Sequence, residues 1–130
     1  MKLSKIFFFF MLILLLVTGC KSGDNASDAQ IKPVESFYNT IVTQQRDQIG
    51  TIACASWEKD AYREVDAFMG VKSEMKDFSC TVQNSTADAA EVVCKGKIAA
   101  SYGNEITEFP IENRVHKLVK ENGEWRLCGF

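Results

Sequence analysis

The chain of 130 residues carries five cysteines and one histidine, which are the residue types with the most specific chemistry. Four of the cysteines lie beyond residue 50: Cys54, Cys80, Cys94 and Cys128. Their spacing contains no Cys-x-x-Cys motif, and His116 alone cannot complete a zinc site, so we expect no bound metal. An even set of four is typical of two disulfides in an exported protein, and it leaves Cys20 for another role.

The spacing of two of these cysteines favours a particular pairing. If residues 85–89 form a loop, the strands on either side place Asn84 opposite Ala90 and Cys80 opposite Cys94. Cysteines that face each other in a non-hydrogen-bonded pair lie near the Cα separation that a disulfide bridges. The register therefore predicts a disulfide across this hairpin.

The remaining pair, Cys54 and Cys128, would join the first helical region to the last strand. Such a bond closes a loop of about 75 residues, which in the chain-entropy model stabilises a protein by about 4 kcal/mol. Four cysteines permit three pairings. The hairpin register favours the pairing of Cys80 with Cys94 and of Cys54 with Cys128.

The first 19 residues have the order of a bacterial signal peptide. Lys2 and Lys5 supply a positive start, residues 6–17 are an unbroken apolar run, and residues 18–19 are small. A helix of 12 residues is about 18 Å long, which is well short of the roughly 30 Å hydrocarbon core. The segment is therefore expected to be cleaved and not to remain as a spanning helix.

The last four residues of this region, Val17-Thr18-Gly19-Cys20, resemble the lipobox of bacterial lipoproteins. The resemblance implies that the thiol of Cys20 is alkylated with diacylglycerol, that the chain is cut before it, and that its new amino group is acylated. Two or three acyl chains anchor a protein stably. The expected location is the periplasmic face of the outer membrane in a diderm, or the outer face of the cell membrane in a Gram-positive host. The alternative, an ordinary secretory signal with Cys20 in a disulfide, conflicts with the even number of later cysteines.

Residues 20–30 are small and polar, and we expect them to form a lipidated, flexible tether to a single domain at 31–130. Two amphipathic helices are predicted at the start of this domain. The first begins with Pro33 in its first turn and runs to about Ile49 or beyond. The second is capped by Ser56 and stopped by Gly70, and its charged face, which includes Glu64, is expected to be solvated.

The rest of the domain changes to the alternating pattern of β-strands. Four strands are predicted, at residues 78–83, 90–102, 107–120 and 124–130. Asn122-Gly123 fits the two-residue type I′ turn of a hairpin, because both positions need a positive φ angle. In that register Leu118 faces Leu127.

Two helices followed by long antiparallel strands resemble the NTF2-like superfamily, and most of all its small lipid-anchored members of the DUF4878 type. The resemblance is carried by Phe37-Tyr38, by Ala90-Glu91-Val92-Val93 and by the run from His116 to Leu127. It implies an α+β fold in which N-terminal helices pack on a curved antiparallel sheet of about four strands, shaped as a cone with a pocket at its open end. Enzymes of the superfamily place acids and tyrosines in that pocket. The counterparts by type are Tyr38, Asp60, Tyr62, Asp66 and Tyr102, and none sits in a motif that identifies it as catalytic.

Composition and motifs exclude several classes of function. The net charge is −2 and falls to about −4 without Lys2 and Lys5, and no basic cluster is left to bind the phosphates of a nucleic acid. Glycine-rich phosphate loops and nucleophile motifs are absent, so no cofactor is predicted. His116 is the default acid–base candidate because its type titrates near neutrality, but on a strand we expect it at the surface or at a pocket rim.

The resulting hypothesis is a lipid-anchored envelope protein that binds a small apolar ligand or a protein partner and is not catalytic. Tyr102, Trp125 and His116 are the predicted ligand-binding residues, and Phe130 is expected to be available for contact with a partner. Two alternatives remain. One is an enzyme that uses the cone pocket for acid–base chemistry, and the other is a structural or immunity-type protein that acts by surface contact.

Overall fold

The structure, a computed structural model, describes residues 23–130. The predicted signal peptide at 1–19 and the lipidation site at Cys20 lie outside the described residues. The helices come first and the strands second: α1 (Gly23–Thr43), a 3-10 helix (Arg46–Gln48), α2 (Ile49–Ile52), α3 (Glu58–Asp66), β1 (Lys72–Ser85), β2 (Ala89–Tyr102), β3 (Glu105–Pro110), β4 (Val115–Glu121) and β5 (Glu124–Leu127). The helices pack against a curled antiparallel sheet, which is the predicted α+β class. No helix within the described range is both long and apolar enough to cross a membrane.

The first helix starts earlier than predicted. It begins at Gly23, so residues 23–30, which were expected to belong to a flexible tether, are helical, and Pro33 lies inside the helix. Gln30 is buried, and its Nε2 donates a hydrogen bond to Ser85 Oγ at 2.6 Å. This contact ties the first turns of α1 to the end of β1, which sequence periodicity alone does not reveal.

The same helix also ends earlier than predicted, at Thr43 and not near Ile49. Gln44 has a φ angle of 58°, which takes the backbone out of the helical conformation. Its side chain is held on the segment that leads into β1, since Nε2 donates to the carbonyl of Val71 at 2.8 Å and Oε1 accepts from the amide of Gly70 at 3.2 Å. The end of α1 is thus set by a contact with residues more than 25 positions later.

The helix α3 is shorter than the predicted second helix. Trp57 occupies the N-cap position and Ser56 makes no capping hydrogen bond. The Ser56 hydroxyl lies 3.2 Å from Cys54 Sγ instead. The buried face of α3 is formed by Ala61 and Val65, in agreement with the predicted periodicity.

The strand β2 is the centre of the sheet. One of its edges pairs with β1 along most of its length, and the other pairs with β4 near its start and with β3 near its end. The prediction of a single strand at 107–120 is therefore wrong, because the structure has two separate strands there, β3 and β4. Pro110 has no amide hydrogen to continue the ladder, and buried Ile111 begins the turn that separates the two strands.

The sheet curls where β1 and β2 are both irregular. Gly96 has a φ angle of 112°, and a Cβ atom at this position would lie 2.6 Å from the carbonyl oxygen of Lys76 and 2.8 Å from that of Asp77. The pairing register shifts between Lys76 and Ser79 at a β-bulge. Bulges increase local twist, so this position bends the distal half of β2 over the helices.

Both predicted disulfides are confirmed. Cys80 lies directly opposite Cys94 with a Cα separation of 4.1 Å, and Cys54 is bonded to Cys128 with a separation of 5.2 Å. One detail of the hairpin register was wrong. A second shift at position 83 places Asn84 opposite Glu91 and not opposite Ala90.

The final hairpin is confirmed as predicted. Asn122 and Gly123 have φ angles of 53° and 82°, as a type I′ turn requires. Leu118 faces Leu127, and both are buried in the core against the helices. The turn and the alternating pattern together define this register locally.

Candidate ligand-binding cavity

A partly enclosed cavity of about 260 Å³ lies between the helices and the curled half of the sheet. Its apolar lining consists of Ile41, Ala67, Phe68, Ile98, Phe109 and Ile111, and its polar lining consists of Glu64, Tyr102 and Arg114. Three other surface depressions, of about 430, 420 and 500 Å³, are larger in volume but more open to solvent. Of these sites, the enclosed cavity is the one that best surrounds a small molecule.

The cavity is built by elements from three parts of the chain. Ile41 comes from the last turn of α1, and Phe68 follows α3. Ile98 of β2 and Phe109 of β3 are direct cross-strand partners, so their side chains share one face of the sheet. The rings of Phe68 and Phe109 meet edge to face at 5.3 Å between centroids and close one side of the cavity.

Arg114 is the positive group of the cavity. It lies in the segment between β3 and β4 and is half-buried. Its guanidinium carbon stands 4.5 Å above the centroid of the Phe130 ring, a cation–π contact that holds one face of the group. Among residues 23–130, Arg114 forms no ion pair.

Glu64 is the negative group of the cavity. Its position among the charged residues of the second predicted helix favours a solvated face, but Glu64 is half-buried and lines the cavity. Within the described part of the chain it pairs neither with Arg114 nor with any other cation. Other charged groups of α3 do pair, in the contacts Asp60–Arg63 and Arg46–Asp66. The cavity thus holds two opposite charges that are not matched within the described chain.

His116 lies in the core and not at the surface or at a pocket rim, as was expected. Its side chain is fully buried, with Nδ1 3.1 Å from the carbonyl oxygen of Val92 and Nε2 2.8 Å from the hydroxyl of Tyr38. Because a carbonyl oxygen only accepts, Nδ1 must donate to it, and Nε2 accepts from the Tyr38 hydroxyl. Every polar atom of this pair therefore has a partner.

The protonation of this buried pair follows from its surroundings. Burial lowers the pKa of His116 to about 4, with Val92 opposing the shift and the charge of Arg114 adding to it. Burial also raises the pKa of Tyr38 to about 12, while nearby Arg114 partly opposes the shift and Glu64 adds to it. Both side chains are consequently neutral at pH 7, and neither is poised to exchange a proton there.

Phe130 is packed and not freely available as expected. Its ring lies 6.0 Å from that of Phe37, 5.4 Å from that of Trp57 and 5.4 Å from that of His116, measured between centroids. It is 38% exposed, so one part of the ring covers the aromatic core and the rest supports Arg114. The residue links the core to the cavity.

The three predicted ligand-binding residues do not come together. Tyr102 lines the cavity, His116 lies in the core, and Trp125 lines a separate open groove beside α1, where Lys120 Nζ is 5.4 Å from its ring centroid. Sequence reasoning missed Arg114, because it fell inside an apparently continuous strand. The signal for it was Pro110, which interrupts that strand just before the turn.

The described residues thus define a small disulfide-braced α+β domain with a curled antiparallel sheet and a charged, apolar-floored cavity. All four of its cysteines are in disulfides, and the His, Cys, Asp and Glu side chains of residues 23–130 include no group arranged to hold a metal ion. Neither a scan against protein-family models nor a search of the curated proteins gives a match to this chain. The class of ligand is therefore inferred from the residues that line the cavity.

Proposed function

We propose that this protein is a lipid-anchored cell-envelope protein whose domain binds a small ligand in the cavity between α3 and the β2–β3 pair, without catalysing a reaction. The observation that carries the proposal is the partly enclosed cavity, with apolar and charged lining residues and Arg114 at its wall. Its volume of about 260 Å³ is slightly below the roughly 300–1,000 Å³ of sites for drug-sized ligands. The expected ligand is therefore compact.

The anchor is supported by the lipobox-like residues Val17 to Cys20. With Cys20 lipidated, α1 would begin three residues from the membrane attachment, at Gly23. Ile41 in the cavity lies 18 residues further along this helix, which corresponds to about 27 Å. A ligand would then reach the cavity from the aqueous side of the envelope.

The enzyme alternative receives less support. Acid–base catalysis needs a titrating group that reaches the bound substrate. His116 and Tyr38 are satisfied by each other in the core, and neither belongs to the lining of the cavity. Glu64 and Tyr102 line the cavity, but no hydrogen bond within the described residues links these two side chains into an acid–base pair.

A protein partner is the second candidate, and one observation favours it. Ile106 on β3 is 67% exposed, and within residues 23–130 β3 pairs with β2 alone, so its other edge is unpaired. A free strand edge with an exposed apolar residue is a surface that another chain can use. A small ligand would affect the residues that line the cavity, whereas a protein partner would affect Ile106 and the free edge of β3.

The anchor is tested with a Cys20→Ala variant. We expect the wild-type chain, purified from its host membrane, to have a mass that starts at Cys20 and includes diacylglyceryl and acyl groups, because the thiol is the acceptor. The variant should be neither lipidated nor processed at this site. Intact mass spectrometry before and after reduction is the measurement. Wild-type protein that carries no lipid on Cys20 would disprove the anchor.

Ligand binding is tested with the lipidated protein in nanodiscs, labelled at isoleucine methyl groups. Benzyl alcohol, a compact uncharged probe, should shift the NMR signals of the three isoleucines of the cavity, Ile41, Ile98 and Ile111, in a saturable way. Ile52, which lines the open groove beside Trp125, should not respond.

The matched variants are Ala67→Trp, which fills the cavity, and Ala26→Trp at an exposed position near the start of α1. We expect the first to weaken binding about tenfold, equivalent to about 1.4 kcal/mol, and the second to leave it unchanged. If benzyl alcohol shifts only the methyl signals of Ile52 or Ile106, or gives no saturable shift of any signal, the ligand does not bind in this cavity.

A further inference from the structure

The two charges of the cavity differ from the other charges around it. On α3, Asp60 is paired with Arg63, and Asp66 is paired with Arg46. Glu64 lies on the same helix, is half-buried and has no cation partner among the described residues. Partly buried charges without a partner lose solvation, so a site that keeps two of them is suited to a ligand that supplies the partners.

Arg114 is prepared for a carboxylate. One face of its guanidinium group is occupied by the Phe130 ring at 4.5 Å. Arg114 also contributes a hydrogen bond that partly opposes the raised pKa of Tyr38. The ring covers a face of the guanidinium plane and not its edge, where five N–H groups lie, and two of these bind a carboxylate with parallel hydrogen bonds. Because the ring fixes the plane, less side-chain freedom is lost when the ligand binds.

Glu64 has the complementary role. A carboxylate only accepts hydrogen bonds, so the group that it binds best is a cationic donor such as an ammonium. Apart from these two charges and Tyr102, the lining is apolar, with aliphatic side chains from α1, β2 and the β3–β4 turn and the Phe68–Phe109 pair. This part of the cavity suits an apolar substituent of limited size.

We infer that the ligand is a free α-amino acid with an apolar side chain, whose carboxylate binds Arg114 and whose ammonium binds Glu64. This inference rests on the proposed function and names the class of ligand. A simple carboxylic acid would leave Glu64 facing an apolar group or a second negative charge, and a simple amine would leave Arg114 unpaired. A residue within a peptide has neither the free α-ammonium nor the free α-carboxylate, and a terminal residue has only one of them. A peptide therefore matches the site less well.

The test compares leucine with two analogues that each lack one charge: leucinamide and isocaproate. The lipidated protein in nanodiscs is titrated by calorimetry, with the Ile41, Ile98 and Ile111 methyl signals as the site-specific readout. We expect leucine to bind at least tenfold more tightly than either analogue. Valine, methionine and phenylalanine complete the set, and the dipeptides Leu-Gly and Gly-Leu represent peptide ends.

Three variants assign the charges. Arg114→Gln should weaken leucine binding at least tenfold and leave the affinity for leucinamide, which has no carboxylate, unchanged. Glu64→Gln should also weaken leucine binding at least tenfold and leave the affinity for isocaproate, which has no ammonium, unchanged. Arg63→Gln, on the same helix but outside the cavity, is the matched control and should change neither.

The outcomes separate this inference from the function on which it rests. If benzyl alcohol shifts the cavity signals but no amino acid does so at about 10 mM, the cavity binds ligands of another class and the inference is wrong. Isocaproate binding as tightly as leucine would also overturn it, and so would a dipeptide binding more tightly than any free amino acid. If benzyl alcohol gives no response either, the proposed function itself fails.

Discussion

Replacing Cys54 and Cys128 together with alanine is expected to lower the free energy of unfolding by about 4 kcal/mol. The two residues are 74 positions apart, and cross-linking so long a loop removes a large part of the entropy of the unfolded chain. Domains of this size are stable by only about 5–15 kcal/mol, so the double variant should be partly unfolded in mild urea.

Local contacts around this disulfide agree with a structural role. The Cys54 side chain is fully buried, and its amide donates to the carbonyl of Leu127 at 2.8 Å. This backbone contact and the parallel bridge between Ala53 and Leu127 hold the segment between α2 and α3 against the last strand. The Ala55 amide also donates to the Glu121 carboxylate, and Arg126 donates to the carbonyls of Gly50 and Thr51. Without the covalent bond, these non-covalent contacts have to maintain the joint.

The matched control is the double alanine variant of Cys80 and Cys94. That disulfide closes a loop of 15 residues within one hairpin, so the expected loss is smaller, at about 3 kcal/mol. Urea unfolding followed by circular dichroism measures both values. A loss below about 1 kcal/mol for the Cys54–Cys128 pair, or a larger loss for the hairpin pair, would show that chain entropy does not explain the effect.

Acid is expected to destabilise the domain through His116. Burial lowers the pKa of His116 to about 4 in the folded state, compared with its ordinary value of 6.5, so the unfolded chain binds more protons between these pH values. Stability contributed by the neutral imidazole is therefore fully present above pH 6.5 and is lost as the pH falls towards about 4. The shift corresponds to a loss of about 3 kcal/mol.

The structural reason is the hydrogen bond from Tyr38. A protonated imidazole would direct an N–H at a hydroxyl that now donates to it, and it would place a positive charge in the core near Arg114. Both consequences disfavour the folded state of the protonated form. Tyr38 itself stays neutral throughout this range, because its pKa is raised to about 12.

His116→Gln is the variant that isolates this effect. The chain contains one histidine, so between about pH 5 and 6.5 the slope of stability against pH should be mostly due to it, at up to 1.4 kcal/mol per pH unit. We expect the variant to be less stable at pH 7 but to lose most of this slope. An equal slope in the wild type and the variant, measured by urea unfolding across the range, would refute the assignment.

Short-range features were predictable from the sequence because their physics is local. The turn at Asn122-Gly123 follows from backbone conformations that few residues tolerate. Placing Cys80 opposite Cys94 needed only a hairpin loop and the two-residue period of a strand, and the remaining disulfide then followed by elimination. The helical face with Val34, Phe37 and Ile41 was visible from its spacing.

The limits of the elements depended on distant contacts and were predicted less well. The end of α1 is set by Gln44, whose side chain binds the backbone before β1, and its beginning is supported by the contact of Gln30 with Ser85. The division between β3 and β4 lies at Ile111, which is buried although it begins a turn. Hydrophobic patterning describes a face of an element but not where a tertiary contact stops it.

The residue types of the cavity region are visible in the sequence: isolated aromatic and aliphatic residues, Glu64 on a helix and Arg114 in an apparently continuous strand. The fold places these residues in one cavity, because the bend at Gly96 brings the end of β2, with β3, over α1 and α3. It also decided that His116 is buried, since a hydrogen bond to a tyrosine 78 positions away makes that burial tolerable. Local rules act over a few residues, whereas burial and charge pairing depend on parts of the chain that only the fold brings together.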